Sequence, residues 1–263
     1  MEKISEKKRI VVKVGTSTLT HRTGMLNIRR VEQLVKTLAD LQNSGYEVIL
    51  VSSGAIGLGM GKLGLREKPK DTPGKQACAA VGQCELMYLY DNLFSEYSIT
   101  VAQMLLTKYI LLEDRRKNVE NAMERLVSQR VIPIINENDT VAIDELELEV
   151  GENDSLAAIV AKIAKADLLI IMSDIDGLYD KDPHKAYDAK LIPVVHEITD
   201  DIRALAGGAG TKLGTGGMIT KINAVEIAYE ADIDVVLMNG QHPKALYDLF
   251  DDKQVGTIFS KLK

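Results

Sequence analysis

The sequence is poor in aromatic residues and in cysteine. Its 263 residues include no tryptophan, three phenylalanines and two cysteines. Cys78 and Cys84 stand six positions apart in a segment that predicts a helix, and this spacing places them on different faces. Neither has a histidine or a second cysteine at the spacing of a metal site. The cysteines therefore predict two free thiols, and the pattern excludes a disulfide framework or a zinc finger.

Long hydrophobic runs and an excess of positive charge are also lacking. No apolar stretch approaches the ~20 residues that span a bilayer. The charged segment Met1–Arg9 lacks the apolar core of a signal peptide. Lys+Arg 32 against Asp+Glu 38 give a net charge of −6, which argues against nucleic acid as the main partner. We expect a cytoplasmic protein with no membrane and no nucleic-acid partner.

The common nucleotide-binding motifs are nearly absent. No segment matches GxxxxGK[ST], and no protein-kinase HRD or DFG set occurs. The pattern GxGxxG occurs at 59–64, but it begins six residues after a predicted strand and precedes charged residues in place of a helix. It therefore lacks the strand–turn–helix context that dinucleotide binding requires. We interpret it as a flexible glycine loop over the mouth of the substrate site.

Short β-branched runs alternate with amphipathic patterns along the chain. The runs are nearly continuously apolar, which indicates strands buried on both faces of a parallel sheet, and the alternation predicts an α/β sandwich. In Val141–Val150 apolar and acidic residues alternate, which predicts an edge hairpin. The predicted strands are Arg9–Val14, Glu47–Ser53, Thr100–Leu105, Val131–Ile135, Leu168–Ser173 and Val235–Met238. The predicted helices are 28–41, Gln76–Tyr90, Asp114–Gln129, Asp154–Ala166, Gly217–Glu230 and Pro243–Phe250.

Small polar residues follow the predicted strands. They occur at 13–17, 52–57, 136–139 and 173–177, and a further glycine cluster lies at 214–217. Ligands of parallel sheets bind at the carboxyl ends of the strands. Glycine there lets backbone N–H groups approach a phosphate, and a following helix N-terminus favours negative charge. The pattern predicts a site for an extended anionic ligand.

Six segments in this order resemble the amino-acid kinase family: VVKVGTSTL, VSSGAIGLG, INENDTVA, VGENDSLAA, MSDIDGLYDKDP and GTGGMITKINAVEIA. Within it, SSGAI and NEND resemble the members that phosphorylate the γ-carboxylate of glutamate with ATP. The resemblance runs from Arg9 to about Lys261. It implies one domain, a three-layer αβα sandwich around a mainly parallel sheet. It also implies a substrate lobe at about 1–165 and a nucleotide lobe at about 166–263.

The resemblance also implies roles for the residues that match its motifs. Lys13 and Lys221 would contact the phosphates and the transferred phosphoryl group from opposite sides, and Asp154 would hold both lysines in position. Mg²⁺ would accompany ATP on phosphate oxygens, with no protein ligand to the metal predicted. The implied substrate-binding residues are Ser53, Asp139 and Asn153. The implied ATP-binding residues are Lys13, Gly15, Ser173, Asp174, Thr215, Gly216, Gly217, Met218, Ile219, Thr220 and Lys221.

Each of these residues also has an ordinary structural explanation. Lys221 could be a solvated lysine on a helix, and Asp154 could simply cap the helix that follows it. Asp139 and Asn153 could be turn residues, and Ser53 could be a small residue that packing requires. A lysine inside an apolar strand is harder to explain structurally, because burying its charge without a partner is costly. Lys13 is therefore the residue for which the pattern favours function most directly.

Other functions remain open on the sequence alone. Acetylglutamate kinase, aspartokinase, uridylate kinase and carbamate kinase share the fold, and only SSGAI and NEND favour glutamate. A non-catalytic sensor on the same fold is disfavoured because Lys13, Lys221 and Asp154 are all present. A dinucleotide-dependent oxidoreductase is disfavoured by the context of its only motif.

The resemblance implies further partners. Glutamate-phosphorylating members often carry a C-terminal PUA domain, whereas this sequence ends at Lys263, so we expect a short form. Their product enters proline synthesis, so we expect inhibition by proline and transient contact with the downstream reductase. Apolar residues on more than one face of Leu86–Leu93 predict a homo-oligomer.

Overall fold

A computed structural model describes residues 3–21, 25–107, 112–141, 153–183, 185–206 and 217–262. The strands are β1 (Arg9–Val14), β2 (Glu47–Ser52), β3 (Val101–Leu106), β4 (Ile132–Glu137), β5 (Leu168–Ser173), β6 (Val194–Val195), β7 (Asp234–Asn239) and β8 (Thr257–Phe259). They form one sheet in the order β3-β4-β2-β1-β5-β7-β8-β6. Neighbouring strands are parallel except for β7 and β8. The predicted mainly parallel sheet is confirmed.

Helices cover both faces of this sheet. They are α1 (Thr16–Leu19), α2 (Ile28–Asn43), α3 (Ala55–Lys62), α4 (Thr72–Ser95), α5 (Glu113–Ser128), α6 (Asn153–Ala164), α7 (Asp200–Ala206), α8 (Met218–Tyr229) and α9 (Ala245–Phe250), and a 3-10 turn spans Ile4–Glu6. One apolar core contains buried residues of α5, α6 and α8, and the other contains buried residues of α2, α4 and α9. The predicted three-layer αβα sandwich is confirmed.

Alternation along each strand decides which core a side chain enters. In β1, Val11 packs into the core of α6 and α8, whereas Val12 packs into the core of α2 and α4. Lys13 is two residues beyond Val11 and therefore lies on the α6 side. By the same period of two, Asn136 follows Ile134 onto the α4 side. Lys13 and Asn136 thus lie at the carboxyl end of the sheet, on opposite faces.

The glycine-rich segment after β2 differs from its prediction. Residues 55–62 form helix α3, not a flexible loop, so GxGxxG begins inside a helix. The reason is tertiary packing against α4. A Cβ atom on Gly59 would lie 1.8 Å from the carbonyl oxygen of Cys78, and one on Gly82 would lie 1.7 Å from that of Ala55. The glycines allow two helix backbones to touch, and this contact outweighs the low helix propensity of glycine.

The remaining elements agree with their predictions to within a few residues. The six predicted strands and six predicted helices are all present, whereas α1, α7, β6 and β8 were missed. The predicted hairpin falls almost wholly on 142–150, outside the described residues. Cys78 is buried, Cys84 is exposed, and both are free thiols, as predicted. In the part of the chain that the structure describes, no helix has the length and apolarity to cross a membrane.

Candidate functional site

Two buried lysines share one buried aspartate at the carboxyl end of the sheet. Lys13 Nζ lies 2.6 Å from Asp154 Oδ1, and Lys221 Nζ lies 3.2 Å from Asp154 Oδ2. The three residues are 8%, 7% and 2% exposed for Lys13, Lys221 and Asp154. Thr220 Oγ1 also donates to Asp154 Oδ2, at 3.2 Å. The sequence places these residues on three separate elements, and the fold brings them into direct contact.

The electrostatics of this cluster favour an ionised aspartate. Burial by itself would raise the pKa of Asp154, but the charges of Lys13 and Lys221 outweigh burial and hold that pKa below its usual value. Two ammonium groups and one carboxylate leave a net positive charge in a desolvated place. Buried charges are stable only when they are paired or bind a counter-ion. The arrangement therefore suits a polyanionic ligand.

The local sequence explains how each group reaches the cluster. Asp154 is the second residue of α6, so its carboxylate lies at a helix N-terminus, where the backbone favours negative charge. Lys221 is in the first turn of α8, after Gly217, whose carbonyl also accepts from Thr220 Oγ1 at 2.9 Å. A Cβ atom on Gly15 would lie 3.5 Å from Lys13 Nζ. A side chain at position 15 would therefore contact the end of Lys13, which glycine leaves uncovered on that side.

A second cluster consists of hydrogen-bonded amides beside the first. Asn153 Nδ2 donates to Ser53 Oγ at 2.5 Å and to Asn136 Oδ1 at 3.2 Å. Asn136 Nδ2 in turn donates to Gln83 Oε1 at 2.9 Å. Asn153 adjoins Asp154 in the sequence, so the first turn of α6 belongs to both clusters. The fold brings together Ser53 and Asn153, which the sequence singled out, and their contact with substrate stays a prediction.

Asp139 is half-buried and lies shortly after the end of β4, three residues after Asn136 in the sequence. Burial raises the pKa of its carboxyl group, and the charge of Lys68 opposes part of that rise. No hydrogen bond within the described residues joins Asp139 to Ser53 or Asn153. The structure therefore confirms only its strand-end position, and its contact with substrate stays a prediction.

A third group of polar residues lies at the ends of β5 and β7. Ser173 Oγ donates to Asp174 Oδ1 at 3.1 Å. Asn239 Nδ2 donates to Asp176 Oδ1 at 2.7 Å, and Tyr179 OH donates to Asp176 Oδ2 at 3.1 Å. The hydrogen bonds from Asn239 and Tyr179 hold the turn 174–177 against the end of β7. The loop is therefore fixed at the carboxyl end of β5, the strand that pairs with β1 and so adjoins Lys13.

Comparison with known sequences settles the family. The profile of the amino acid kinase family matches residues 8–239 of this chain. The chain belongs to the amino acid kinase family. The strand-end lysine, the lysine of α8 and the polar loops after β2, β4 and β5 are thus features of one family member, and no P-loop or dinucleotide motif is needed to explain them.

Curated relatives in the amino acid kinase family are similar over nearly the whole chain. A glutamate 5-kinase of Clostridium tetani is 54% identical over 263 residues, covering 100% of this chain and 98% of the relative. One from Clostridium perfringens is 51% identical, with 97% and 96% covered. One from Caldanaerobacter subterraneus is 52% identical and covers 97% of this chain, which spans 68% of that relative.

Solved structures of the family have the same fold at low identity. A UMP kinase from Ureaplasma parvum superposes with a TM-score of 0.66 at 17% identity, covering 97% of this chain and 100% of that one. A carbamate kinase from Giardia lamblia bound to AMP-PNP superposes with a TM-score of 0.68 at 17% identity, covering 98% and 100%. At this identity the likeness establishes the fold alone.

Several predicted site residues remain untested by the structure. Thr215 and Gly216 lie outside the described residues, so their place near ATP stays a prediction. Met218 packs against the core and Ile219 is exposed, and neither makes a contact that tests its predicted role. Sequence reasoning also missed Gln83, Asn136 and Asn239 as site residues. Asn136 and Asn239 lie at the carboxyl ends of strands, as the predicted residues do, and that position was a signal for both. The signal for Gln83 was a polar residue among the apolar positions of α4.

Proposed function

We propose that this chain transfers the γ-phosphoryl group of ATP to the γ-carboxylate of L-glutamate, forming γ-glutamyl phosphate. The observation that carries this proposal is the Lys13–Asp154–Lys221 cluster, with its excess positive charge, directly beside the amides of Asn153 and Ser53. The first cluster suits phosphates, and the second suits the polar groups of an amino acid. Relatives with about half of their residues identical to this chain are glutamate 5-kinases, which supports glutamate as the acceptor.

The chemistry needs charge cancellation and not a general base. A γ-carboxylate in water has a pKa near ~4.3, so it is already an ionised nucleophile at neutral pH. Its carboxylate oxygen forms a bond to the γ-phosphorus while the bond to the β,γ-bridging oxygen of ATP breaks. Two anions must meet in line, and fixed positive groups lower the barrier by stabilising the charge that spreads over the transferred phosphoryl group. We assign this role to Lys13 and Lys221.

Asp154 serves as the positioning residue of the two lysines. Its two carboxylate oxygens contact one ammonium group each, so it sets the distance between them before substrate binds. Preorganisation of this kind avoids the cost of arranging the charges during the reaction. Thr220 fixes the same carboxylate from α8. In this proposal Ser53, Asp139 and Asn153 bind the amino acid.

The residues present fit ATP with Mg²⁺. Ammonium and hydroxyl donors match phosphate oxygens, and Gly217 precedes the N-terminus of α8, where backbone N–H groups favour an anion. When bound with ATP, Mg²⁺ supplies neutralisation of phosphate charge, and it is usually held largely by phosphate oxygens in kinases. We propose Gly15, Ser173, Asp174 and residues 215–221 as the nucleotide-binding set. The nucleotide lobe would then be about 166–263 and the substrate lobe about 1–165, which meet where β1 pairs with β5.

Further partners follow from the chemistry of this reaction. An acyl phosphate is labile, which favours a transient contact with a reductase that consumes it. Proline shares the amino-acid groups of glutamate, so we propose that it inhibits by binding at or near the Ser53–Asn153 site. Apolar residues occur on more than one face of α4, with Leu86 buried and Tyr88 66% exposed, and on this basis we propose a homo-oligomer. We place the enzyme in the cytoplasm, where ATP is available.

A substrate panel tests the proposed function. The purified chain is incubated with ATP, Mg²⁺ and hydroxylamine, with glutamate, N-acetylglutamate and aspartate in parallel, and ADP release is followed on UMP and carbamate. Hydroxylamine traps an acyl phosphate as a hydroxamate, so it identifies a carboxylate acceptor. We expect a signal with glutamate only. Lys13→Ala and Lys221→Ala should each lower kcat by about 100- to 1000-fold, the effect of one lost transition-state donor.

The control is Lys7→Ala, because Lys7 is an equally buried lysine in an ion pair at the opposite end of the sheet. It should lower stability, because it leaves Asp234 without its ion pair, and it should leave kcat within about twofold, because Lys7 precedes β1 at the end of the sheet opposite the site. A signal with a different acceptor would contradict glutamate and keep the phosphoryl-transfer site. Silence on every acceptor while ATP still binds would favour the non-catalytic sensor.

A further inference from the structure

A chain of side-chain amides crosses from one face of the sheet to the other. It begins at Gln83 of α4, which is 8% exposed, and continues through Asn136 at the end of β4. Asn153 at the start of α6 comes next, and Ser53 after β2 is last. Because β2 and β4 are neighbours, the chain of hydrogen bonds passes over their carboxyl ends. It therefore links a helix outside the substrate site to a residue inside it.

This chain of hydrogen bonds has a direction. An amide offers donors on nitrogen and an acceptor on oxygen, so reversing one amide alone would set two nitrogens or two oxygens against each other. In the direction described, Asn136 donates to Gln83, and Asn153 donates both to Asn136 and to Ser53 Oγ. The hydrogen of Ser53 is then left to donate to a ligand. With all amides reversed, Ser53 would donate to Asn153 instead.

The direction thus decides what the site offers to a ligand. A hydroxyl that donates suits a carboxylate oxygen, whereas a hydroxyl whose hydrogen is engaged offers only an acceptor. We propose that Gln83 is a positioning residue that fixes this direction and thereby makes Ser53 a donor to a carboxylate of the bound amino acid. The inference rests on the proposed function and specifies how its acceptor site is oriented.

Contacts on either side of Gln83 hold this part of α4 against the residues around Ser53. Gly82, the preceding residue, touches the backbone of Ala55 two residues after Ser53. Tyr90, two turns along the same face of α4, hydrogen-bonds to Ser52 Oγ at 2.8 Å. Gln83 Nε2 is buried and has no hydrogen-bond partner within the described residues. The bond from Asn136 to Gln83 Oε1 is accordingly the contact through which Gln83 acts on the site.

Two substitutions at Gln83 separate the effect of hydrogen-bond direction from the effect of side-chain size. Gln83→Leu removes the acceptor at similar size, and Gln83→Glu keeps an acceptor and, when ionised, cannot donate. We expect Gln83→Leu to raise KM for glutamate by roughly 5- to 10-fold, the effect of one hydrogen bond, with KM for ATP unchanged. Gln83→Glu should restore KM at pH 8. Its rescue should weaken as pH falls, because a buried carboxyl that takes up a proton can donate and permit the reversed direction.

Gln42→Leu is the matched control. Gln42 is also a buried glutamine, but it bonds to Arg130 O and to the backbone N–H of Val48, at the amino end of β2, whereas Ser53 follows its carboxyl end. It should lower the unfolding temperature and leave KM for glutamate unchanged. If Gln83→Leu does not fold, Gln83→Met, which also lacks an acceptor of this strength, takes its place.

The outcomes distinguish the inference from the function beneath it. Wild-type protein that makes no hydroxamate from glutamate overturns the proposed function. Wild-type activity together with an unchanged KM for glutamate in Gln83→Leu and Gln83→Met overturns only the role of Gln83. Equal KM values for Gln83→Leu and Gln83→Glu across pH 6 to 8 would also overturn it, because bulk and not direction would then be responsible.

Discussion

The two ends of the sheet both contain buried lysine–aspartate pairs, but they balance charge differently. At the amino end, Lys7 Nζ lies 2.9 Å from Asp234 Oδ2, one lysine for one aspartate. At the carboxyl end, Lys13 and Lys221 share Asp154. The first pair has one positive and one negative group, whereas the second cluster has two ammonium groups around one carboxylate.

The amino end also uses its charges to fasten the backbone. Asp167 accepts from the backbone N–H groups of Lys8 and Arg9, at 2.9 and 2.8 Å. Arg9 forms ion pairs with Glu47 at 2.7 Å and with Glu124 at 2.8 Å. These contacts tie the starts of β1, β2 and β5 to one another and to α5. The charged groups at this end thus bind backbone and side chains of the fold, whereas we propose that those at the other end bind phosphate.

Among the substitutions that test this difference between the two ends, Asp154→Asn should have the largest effect on stability. It leaves two buried ammonium groups facing a neutral amide, so we expect the free energy of unfolding in urea to fall by about 3–5 kcal/mol. ATP should recover more stability in the variant than in the wild type, because phosphate replaces the missing anion. The pKa of Asp154 is held below its usual value by the lysines, so its contribution is complete above pH ~4 and is lost as pH falls further.

Asp234→Asn is the corresponding change at the amino end. It should also destabilise, since it breaks the pair with Lys7, but ATP should give no extra recovery and kcat should be unchanged. If ATP stabilises Asp154→Asn and Asp234→Asn equally, the lysines at the carboxyl end do not bind phosphate. The proposed difference in function between the two ends would then be wrong.

Gly82→Ala tests whether the close contact between the backbones of α3 and α4 also contributes to stability and substrate binding at the carboxyl end. The added Cβ would lie 1.7 Å from the carbonyl oxygen of Ala55, so α3 and α4 must separate. We expect a loss of about 1–3 kcal/mol in unfolding free energy and a higher KM for glutamate, because Ala55 follows Ser53 closely. Gly61→Ala in α3 meets nothing within 4 Å and should be neutral or stabilising by about 0.5–1 kcal/mol. Similar effects of the two substitutions would contradict the packing argument.

Asp139→Asn should have the smallest effect on stability. Burial raises the pKa of Asp139, so the ionised form costs stability above its unfolded pKa of ~3.9. The amide should therefore raise the free energy of unfolding at pH 7 by at most about 1 kcal/mol, since the group is partly exposed, and the gain should vanish below pH ~4.

The same variant should raise KM for glutamate if Asp139 binds the amino acid. Asp188→Asn is the control, because Asp188 is an exposed carboxylate that pairs with Lys181. It should change neither the pH profile of stability nor KM. A stable Asp139→Asn with unchanged KM would remove Asp139 from the substrate site and leave it as a turn residue.

The parallel core and the strand-end residues could be predicted from sequence because their signals are local. Strands buried on both faces are continuously apolar, and polar residues that interrupt them at the carboxyl end, such as Lys13, stand out. Asp154 could be placed at a helix start from the residues around it. The contact among Lys13, Asp154 and Lys221 depends on strand order, which local patterns do not encode. The prediction that these three residues act together came from the family resemblance.

Other features depend on tertiary contacts that no local pattern contains. Helix α3 contains three glycines in eight residues, so its propensity favours a loop, and only contact with α4 makes it helical. Strand β8 has three residues, and its antiparallel pairing with β7 has no sequence signal of its own. Gln83 is one polar residue on an apolar helix face, and its role depends on what lies across the sheet.

The first turn of α6 also limits how this protein can evolve toward other acceptors. Asn153 and Asp154 are consecutive, so an insertion between them would rotate one by about 100° relative to the other. Altering Asn153 to suit a different molecule therefore risks displacing the carboxylate that sets both lysines. Ser53, which follows β2, and Asn136, near the end of β4, are separate in sequence from Asp154, so changes there leave that carboxylate untouched. Diversification of the acceptor is accordingly least constrained at the ends of β2 and β4.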